Sequence, residues 1–342
     1  MRSYNGCVDV SEIGEFGLIE RLTGILGPEA SPDLIVGIGD DAAVWRAGDQ
    51  FLIATTDTLV EGVHFLAAVA PWTDVGWKAL AVNVSDIGAM GGEPLFALVT
   101  LALPPETAVE DMGALYCGLN GCAGQYGITV AGGDVVSAPQ VSVNVALLGR
   151  AQVRDGEPLL LLRREAKEGD AIAVSGTLGD SAGGLRALRQ GLGPDQGLVS
   201  AHLRPRPALA LGQEAAAAGV RCGIDVSDGL LQDIGHLCEA SGVGALVRAD
   251  AVPVSDALRS AYPRDALQLA CTGGEDYQLI LTGRSELLRQ VETRAGVPLS
   301  FIGEIVKDAG RRVRLLDAGG VEVYFGTPGW DHLRSALSQR ET

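Results

Sequence analysis

The sequence predicts a globular α/β protein of two domains, and three observations carry that reading. Apolar, β-branched runs alternate with helical patterns along nearly the whole chain. Hydrophobic residues reach 47% against 20% charged, with a mean hydropathy of +0.21, which fits neither a disordered nor a fibrous class. The 342 residues exceed one ordinary core and suit two units of roughly 150 to 190 residues each.

The elements follow in order. Over 12–26, Phe16, Ile19, Leu22 and Ile25 or Leu26 recur at helical spacing behind Ser11, a plausible cap. Runs at 34–38, 51–55, 95–103, 128–131 and 141–148 read as strands, with helical patterns near 74–90 and 107–125 between them. A polar stretch after Gly149-Arg150 places a domain boundary near residue 152, giving an N-terminal unit 1–152 and a C-terminal unit 153–342. Strands are expected in the second unit at 171–175, 222–226, 245–248, 277–282, 299–305, 313–316 and 321–325.

Composition excludes several classes of function. The net charge of −17 leaves no basic surface for nucleic acid or an anionic membrane. Only three lysines occur, Lys78, Lys167 and Lys307, so a bound polyphosphate would have to be neutralised by arginine or by metal. The six cysteines form no C-x-x-C pair and no zinc spacing with histidine. They read as reduced thiols of a cytoplasmic protein. The first residues lack a signal-peptide core, and no apolar run approaches the ~18 residues of a membrane span.

Glycine supplies 47 residues, about twice the usual ~7%, and much of it sits in short acidic turns. The theme recurs at Gly39-Asp40-Asp41, Thr55-Thr56-Asp57, Val84-Ser85-Asp86, Gly132-Gly133-Asp134, Gly179-Asp180-Ser181, Asp225-Val226-Ser227-Asp228-Gly229 and Gly273-Gly274-Glu275-Asp276. Any one of these is ordinary turn chemistry. Together they offer hard oxygen ligands at the ends of apolar elements, the donor set magnesium takes when it also holds phosphate. The strongest single group is Asp225, Ser227 and Asp228, three oxygen-bearing ligand residues within four positions.

Rival motifs carry less. Gly37-x-Gly39-x-x-Ala42 imitates a dinucleotide fingerprint, but Asp40 and Asp41 would face the pyrophosphate. Gly179-Asp180-Ser181-Ala182-Gly183 matches a nucleophile elbow with His332 downstream, yet the expected strand ends well before Ser181. No Walker A segment and no His-Arg-Asp occur. His64, three residues after Glu61, reads equally as a loop residue or a ligand; Trp330 reads as a core anchor or a stacking surface for a ring.

These turns, in this order, closely resemble the thiamine-monophosphate kinase family, whose superfamily includes aminoimidazole ribonucleotide synthetase and selenophosphate synthetase. The likeness extends from Gly14-Glu15-Phe16 through Gly62-Val63-His64-Phe65, Lys78-Ala79-Leu80-Ala81-Val82-Asn83-Val84-Ser85-Asp86, Ser175-Gly176-Thr177-Leu178-Gly179 and His202-Leu203-Arg204-Pro205 to Gly273-Gly274-Glu275-Asp276-Tyr277. The resemblance implies an α/β fold of the α+β type. Its N-terminal mixed α/β domain would form a barrel across a homodimer, and its C-terminal domain would be layered α/β/α, with the active site in the cleft between them. It implies direct transfer of the γ-phosphate of ATP to thiamine monophosphate, with no phosphoenzyme.

By the same resemblance, Asp41, Thr55, Thr56, Asp57, Asp86, Asp134, Asp225 and Asp228 would hold several magnesium ions, with Asp57, Asp86, Asp225 and Asp228 central to catalysis. Tyr116, Gly133, Asp134, Arg163 and Ser227 would contact ATP, while His64, Glu275 and Trp330 would face thiamine. Glu165 stands where the family tends to carry glycine, which weakens the Arg163 assignment. Whether a monovalent cation such as potassium (K+) is also required stays open. Other readings are a sister synthetase, although Cys7 lacks the glycine-rich setting of a selenophosphate synthetase, a catalytically silent nucleotide-binding scaffold, and an esterase on Ser181.

Overall fold

A computed structural model describes residues 8–27, 31–191, 197–330 and 333; Cys7 and His332 lie outside them. Helix α1 (Val10–Leu26) contains Ser11 rather than being capped by it, and Gly14 leaves helical geometry at φ 72, ψ −177, so regular turns begin after Gly14. Its apolar stripe lies largely at the surface, with Ile25 80% exposed, although the Phe16 ring meets that of His236 with centroids 4.5 Å apart.

The first half then runs β1 (Leu34–Val36), β2 (Ala43–Ala47), β3 (Gln50–Val60), α2 (Trp72–Ala89), β4 (Glu93–Leu103), α3 (Val109–Tyr126), β5 (Thr129–Ser137) and β6 (Ser142–Arg150). Six strands form one sheet in the order β1-β2-β3-β6-β4-β5. All pairs are antiparallel except β4 with β5, the pair joined by the α3 crossover. Strand β2 is an addition to the sequence-based expectation. Its signal is Gly48-Asp49, a two-residue turn between the paired residues Ala47 and Gln50. The polar segment at the expected domain boundary folds into a small hairpin, β7 (Gln152–Arg154) with β8 (Glu157–Leu159).

The second half carries β9 (Ala171–Ser175), α4 (Asp180–Arg189), α5 (Gly197–Leu203), α6 (Leu209–Ala218), β10 (Cys222–Asp225), α7 (Leu230–Ser241) and β11 (Gly244–Arg248). It continues with α8 (Asp256–Ala261), α9 (Ala266–Thr272), β12 (Leu279–Gly283), α10 (Ser285–Ala295), β13 (Leu299–Val306) and β14 (Val313–Leu316). Its sheet has the order β10-β12-β9-β13-β11-β14. Alternation along the strands gives it two apolar faces. Ile172, Val174 and Ile224 pack with Ile234 and Leu237 of α7, while Ala173, Leu279 and Leu281 pack with Leu211 of α6 and Leu288 of α10. The unit is layered α/β/α. The strand expected over 321–325 does not form: the chain folds back on β14 through a single bridge, Leu316 to Glu322, and one ladder contact is too short a run to make a strand.

Helix α2 joins the halves. Every residue from Val75 to Ala89 is buried except Asp86, as expected of a helix covered on all sides. One side lies on the first sheet and α3, the other on α6 and β10.

Candidate active site

The pleat of β3 decides which of its polar residues meet α2. Phe51, Ile53, Thr55, Asp57 and Leu59 share the inner face, whereas Thr56 and Thr58 point to the other. Thr55 Oγ1 donates to Asp86 Oδ2 at 2.5 Å, in the last turn of α2. From the second half, β10 ends at Asp225, whose Oδ2 accepts from Ser85 Oγ at 2.5 Å. Asp41, just before β2, completes the group: carboxylate oxygens of Asp41, Asp86 and Asp225 lie within 4.8 Å of one another.

Three acids packed this closely resist ionising together. Burial, reinforced by Asp57, Asp225 and Asp41, holds the Asp86 carboxyl well above the usual range. Burial and Asp41 push Asp225 up to about 8, and the same causes push Asp40 up to about 7. Burial also raises Asp41, opposed by Arg163. The Arg163 guanidinium pairs closely with Asp41, and its backbone N–H donates to Asp40 at 3.3 Å. The second Asp41 oxygen, Oδ2, is buried without a hydrogen-bond partner among the described residues. An unsatisfied buried oxygen beside two further raised carboxyls is the donor set of a hard divalent cation, and magnesium fits it.

Asp86 carries the cluster to the wall of a cleft of about 1120 Å³, which is also lined by Asp57, His64, Ser227, Asp228, Glu275 and Trp330, whereas Asp41 and Asp225 are not among its lining residues. Trp330 is fixed to the start of α7: its N–H donates to the Asp228 carbonyl at 3.0 Å, and Gln232 Nε2 donates to both the Trp330 carbonyl at 2.5 Å and Asp228 Oδ2 at 3.1 Å. Asp228, Asp233 and His236 form a second close group. There Asp233 is engaged in accepting the N–H groups of Asp228 and Gly229.

Other expected residues fall elsewhere. The Thr56 hydroxyl lies on the outer face of the first sheet, where Asn144 Nδ2 donates to it at 3.0 Å. Tyr116, Gly133 and Asp134 do not line the cleft; Gly133 and Asp134 are on edge strand β5. At Gly133 a Cβ would meet the Val99 carbonyl oxygen at 1.7 Å, so the β4–β5 pairing itself requires glycine there. Segment 37–42 leads into strand β2 rather than a helix, so the dinucleotide pattern has no helix N-terminus to offer. Ser181 is the second residue of α4 and 1% exposed, which closes off the nucleophile-elbow reading.

Several working residues were missed. Lys78, Ser85 and His202 stood inside quoted motifs, but nothing in the sequence said that Lys78 and His202 meet Glu275, at 2.6 and 3.3 Å, or that Ser85 meets Asp225.

Comparison with known proteins decides the family. The N-terminal domain model of AIR synthase related proteins matches residues 39–151, and the C-terminal domain model matches 167–315. The thiamine-monophosphate kinase of Salmonella typhimurium is 38% identical over 335 residues, spanning 93% of this chain and 98% of that one. That of Haemophilus influenzae is 36% identical over 340 residues, spanning 95% and 99%. The chain belongs to the thiamine-monophosphate kinase family. A solved structure of AaThiL complexed with AMPPCP and TMP matches this family member with a TM-score of 0.84 at 32% identity, covering 96% of this chain and 100% of that one.

Proposed function

We propose that the chain transfers the terminal phosphoryl group of ATP directly to the phosphate of thiamine monophosphate, yielding thiamine diphosphate and ADP. The observation that carries this reading is the Asp41, Asp86 and Asp225 cluster, which reaches the cleft through Asp86, in a chain whose full-length relatives are thiamine-monophosphate kinases. One solved relative was complexed with AMPPCP and TMP.

Asp41, Thr55, Asp57, Asp86, Asp225 and Asp228 are proposed to hold magnesium, which when bound supplies charge neutralisation between donor and acceptor phosphates. The chain's own part is orientation. Thr55 and Ser85 fix one oxygen each of Asp86 and Asp225, Arg163 holds Asp41, and the cleft walls bring the reactants together. No strong general base is needed, because an acceptor phosphate is already ionised at neutral pH and the transition state is loose. Ser227 and Arg163 are proposed on the nucleotide side, and His64, Glu275 and Trp330 at the thiamine end.

Tyr116, Gly133, Asp134 and Thr56 belong to this scheme if the donor site extends over the first sheet toward a second copy of the chain. A homodimer closing the two outer faces into a barrel is supported by the apolar side chains left open there, Phe96 at 50%, Leu98 at 44% and Val136 at 44% exposure. The domain boundary is placed near residue 152, where β6 has ended. We place the reaction in the cytoplasm: the described cysteines are free thiols, and no helix among the described residues is long and apolar enough to cross a membrane.

A coupled ADP-release assay with magnesium and ATP, with and without thiamine monophosphate, tests the reading. Acceptor-dependent ADP matched by thiamine diphosphate is expected. ADP release indifferent to the acceptor, or none at all, overturns it.

A further inference from the structure

Lys78 is buried at 2% exposure in the middle of α2, and its ammonium reaches two cleft loops at once. Nζ lies 2.6 Å from Glu275 Oε1 and 3.4 Å from the carbonyl oxygen of His64. The other Glu275 oxygen lies 3.3 Å from His202 Nδ1, on α5. The same ring nitrogen lies 3.0 Å from Ser181 Oγ, so the imidazole stands between the Glu275 carboxylate and the start of α4.

The backbone around Glu275 needs such support. Glu275 and Tyr277 have φ values of 66° and 50°, left-handed conformations that side chains other than glycine adopt only where surroundings impose them. Backbone bonds flank the strained residues, from Glu275 N–H to the Ser227 carbonyl and from Tyr277 N–H to the Val226 carbonyl, both at 2.8 Å. They fix the loop to the second half of the chain. Among the described residues, the ion pair with Lys78 ties it to the first.

The His202-Leu203-Arg204-Pro205 segment, which the kinase scheme leaves unused, gains a reason from the same contacts. Arg204 pairs with Asp74 at 2.9 Å and lies over the Trp77 ring at 5.0 Å. Trp77 Nε1 donates to the Pro205 carbonyl at 2.9 Å. The end of α5 is thereby fastened to α2 one turn before Lys78, and His202 is delivered to Glu275.

We propose that Lys78 and His202 are positioning residues that hold the Glu275 loop and the His64 loop at a fixed separation across the acceptor end of the cleft. With one Glu275 oxygen on Lys78 and the other facing His202, Glu275 serves the thiamine end by placing its loop rather than by pairing with the substrate directly. The kinetic part of this inference rests on the proposed kinase reading. The mechanical part does not.

Two measurements test it on the full chain. In hydrogen exchange without ligands, Lys78→Met is expected to speed exchange in segments 61–65 and 273–277 while strand β9 keeps its protection; unchanged exchange in both segments overturns the proposal. In steady-state kinetics, Lys78→Met and Glu275→Gln should each raise KM for thiamine monophosphate about tenfold or more and move KM for magnesium ATP less than about twofold. The double variant should be no worse than the worse single variant, because both remove one pin. Effects that multiply, or equal shifts in both KM values, overturn the proposal. If Lys78→Met does not fold, His202→Asn with Glu275→Gln closes the same cycle. A wild-type protein that makes no thiamine diphosphate refutes the kinase reading, and the exchange measurement still decides the pin.

Discussion

Asp86 is the one residue between Val75 and Ala89 that the fold leaves partly exposed, and it stands where Thr55, Asp41 and Asp225 converge. Exchanging its carboxylate for an amide keeps the shape but removes a hard anionic ligand. Asp86→Asn and Asp57→Asn should each lower kcat by about 10²-fold or more with little change in thermal midpoint; near-normal turnover at saturating magnesium would contradict the assignment. A second residue-scale expectation concerns acid. Burial holds His202 down at about 3 and His236 at about 4, so the folded protein keeps both neutral while the unfolded chain takes up protons near 6.5. Their contribution to stability is therefore complete above about pH 6.5 and declines as pH falls toward 4 and 3. Glu275 acts in the same direction: burial raises its carboxyl, but Lys78, His202 and His64 together bring it below its ordinary value. The raised carboxyls of Asp40, Asp86 and Asp225 act in the opposite direction, so the histidine contribution is read by difference. In thermal melts His202→Asn should lose less stability than the parent as pH falls from about 6.5 to 4, and parallel pH profiles of parent and variant would rule the histidine out. At this scale the acidic ligands were legible as short Asp-bearing motifs beside apolar runs, although Asp57 proved to lie within β3 and Asp86 within α2 rather than in turns. Lys78 was not, because a lysine in an apolar helix gives no sign of the carboxylate that will meet it from nearly two hundred residues away.

Among the elements, α2 carries the heaviest constraint. It must lie against α6 so closely that a Cβ at Gly212 would sit 1.9 Å from the Gly88 carbonyl oxygen. Gly212→Ala should therefore cost stability, by about 1–3 kcal/mol, despite the better helix propensity of alanine. A thermal midpoint at or above that of the parent would show that the two helices can move apart. Strand β3 makes the complementary point. The triplet Thr55-Thr56-Asp57 reads as one ligand cluster, but period-2 alternation sends Thr56 to the outer face beside Asn144. Where periodicity and punctuation agree, as over α3 or β13, the elements were legible to within a few residues. They failed at short pieces: β2 has five residues, one of them arginine, and 321–325 has strand-forming residues but only one bridging partner.

For the whole molecule, the unresolved apolar debt is on the outer face of the first sheet. Phe96 and Leu98 alternate outward from β4 between buried Ala97 and Val99, and an open, apolar sheet face of this kind suits the proposed docking of a second copy. Leu98→Glu should shift the mass in light scattering from dimer to monomer, and a monomeric parent would remove the proposed barrel. By itself the sequence determined the α/β class, the order of the acidic turns and the family they spell, because turn chemistry and apolar periodicity are local. Only the tertiary structure decided which carboxylates share a site, which hydroxyl faces away, and that Lys78 and His202 meet at Glu275. Those contacts join residues of both halves around one buried helix, and a pairing across so many residues is set by packing and charge rather than by any neighbour in the chain.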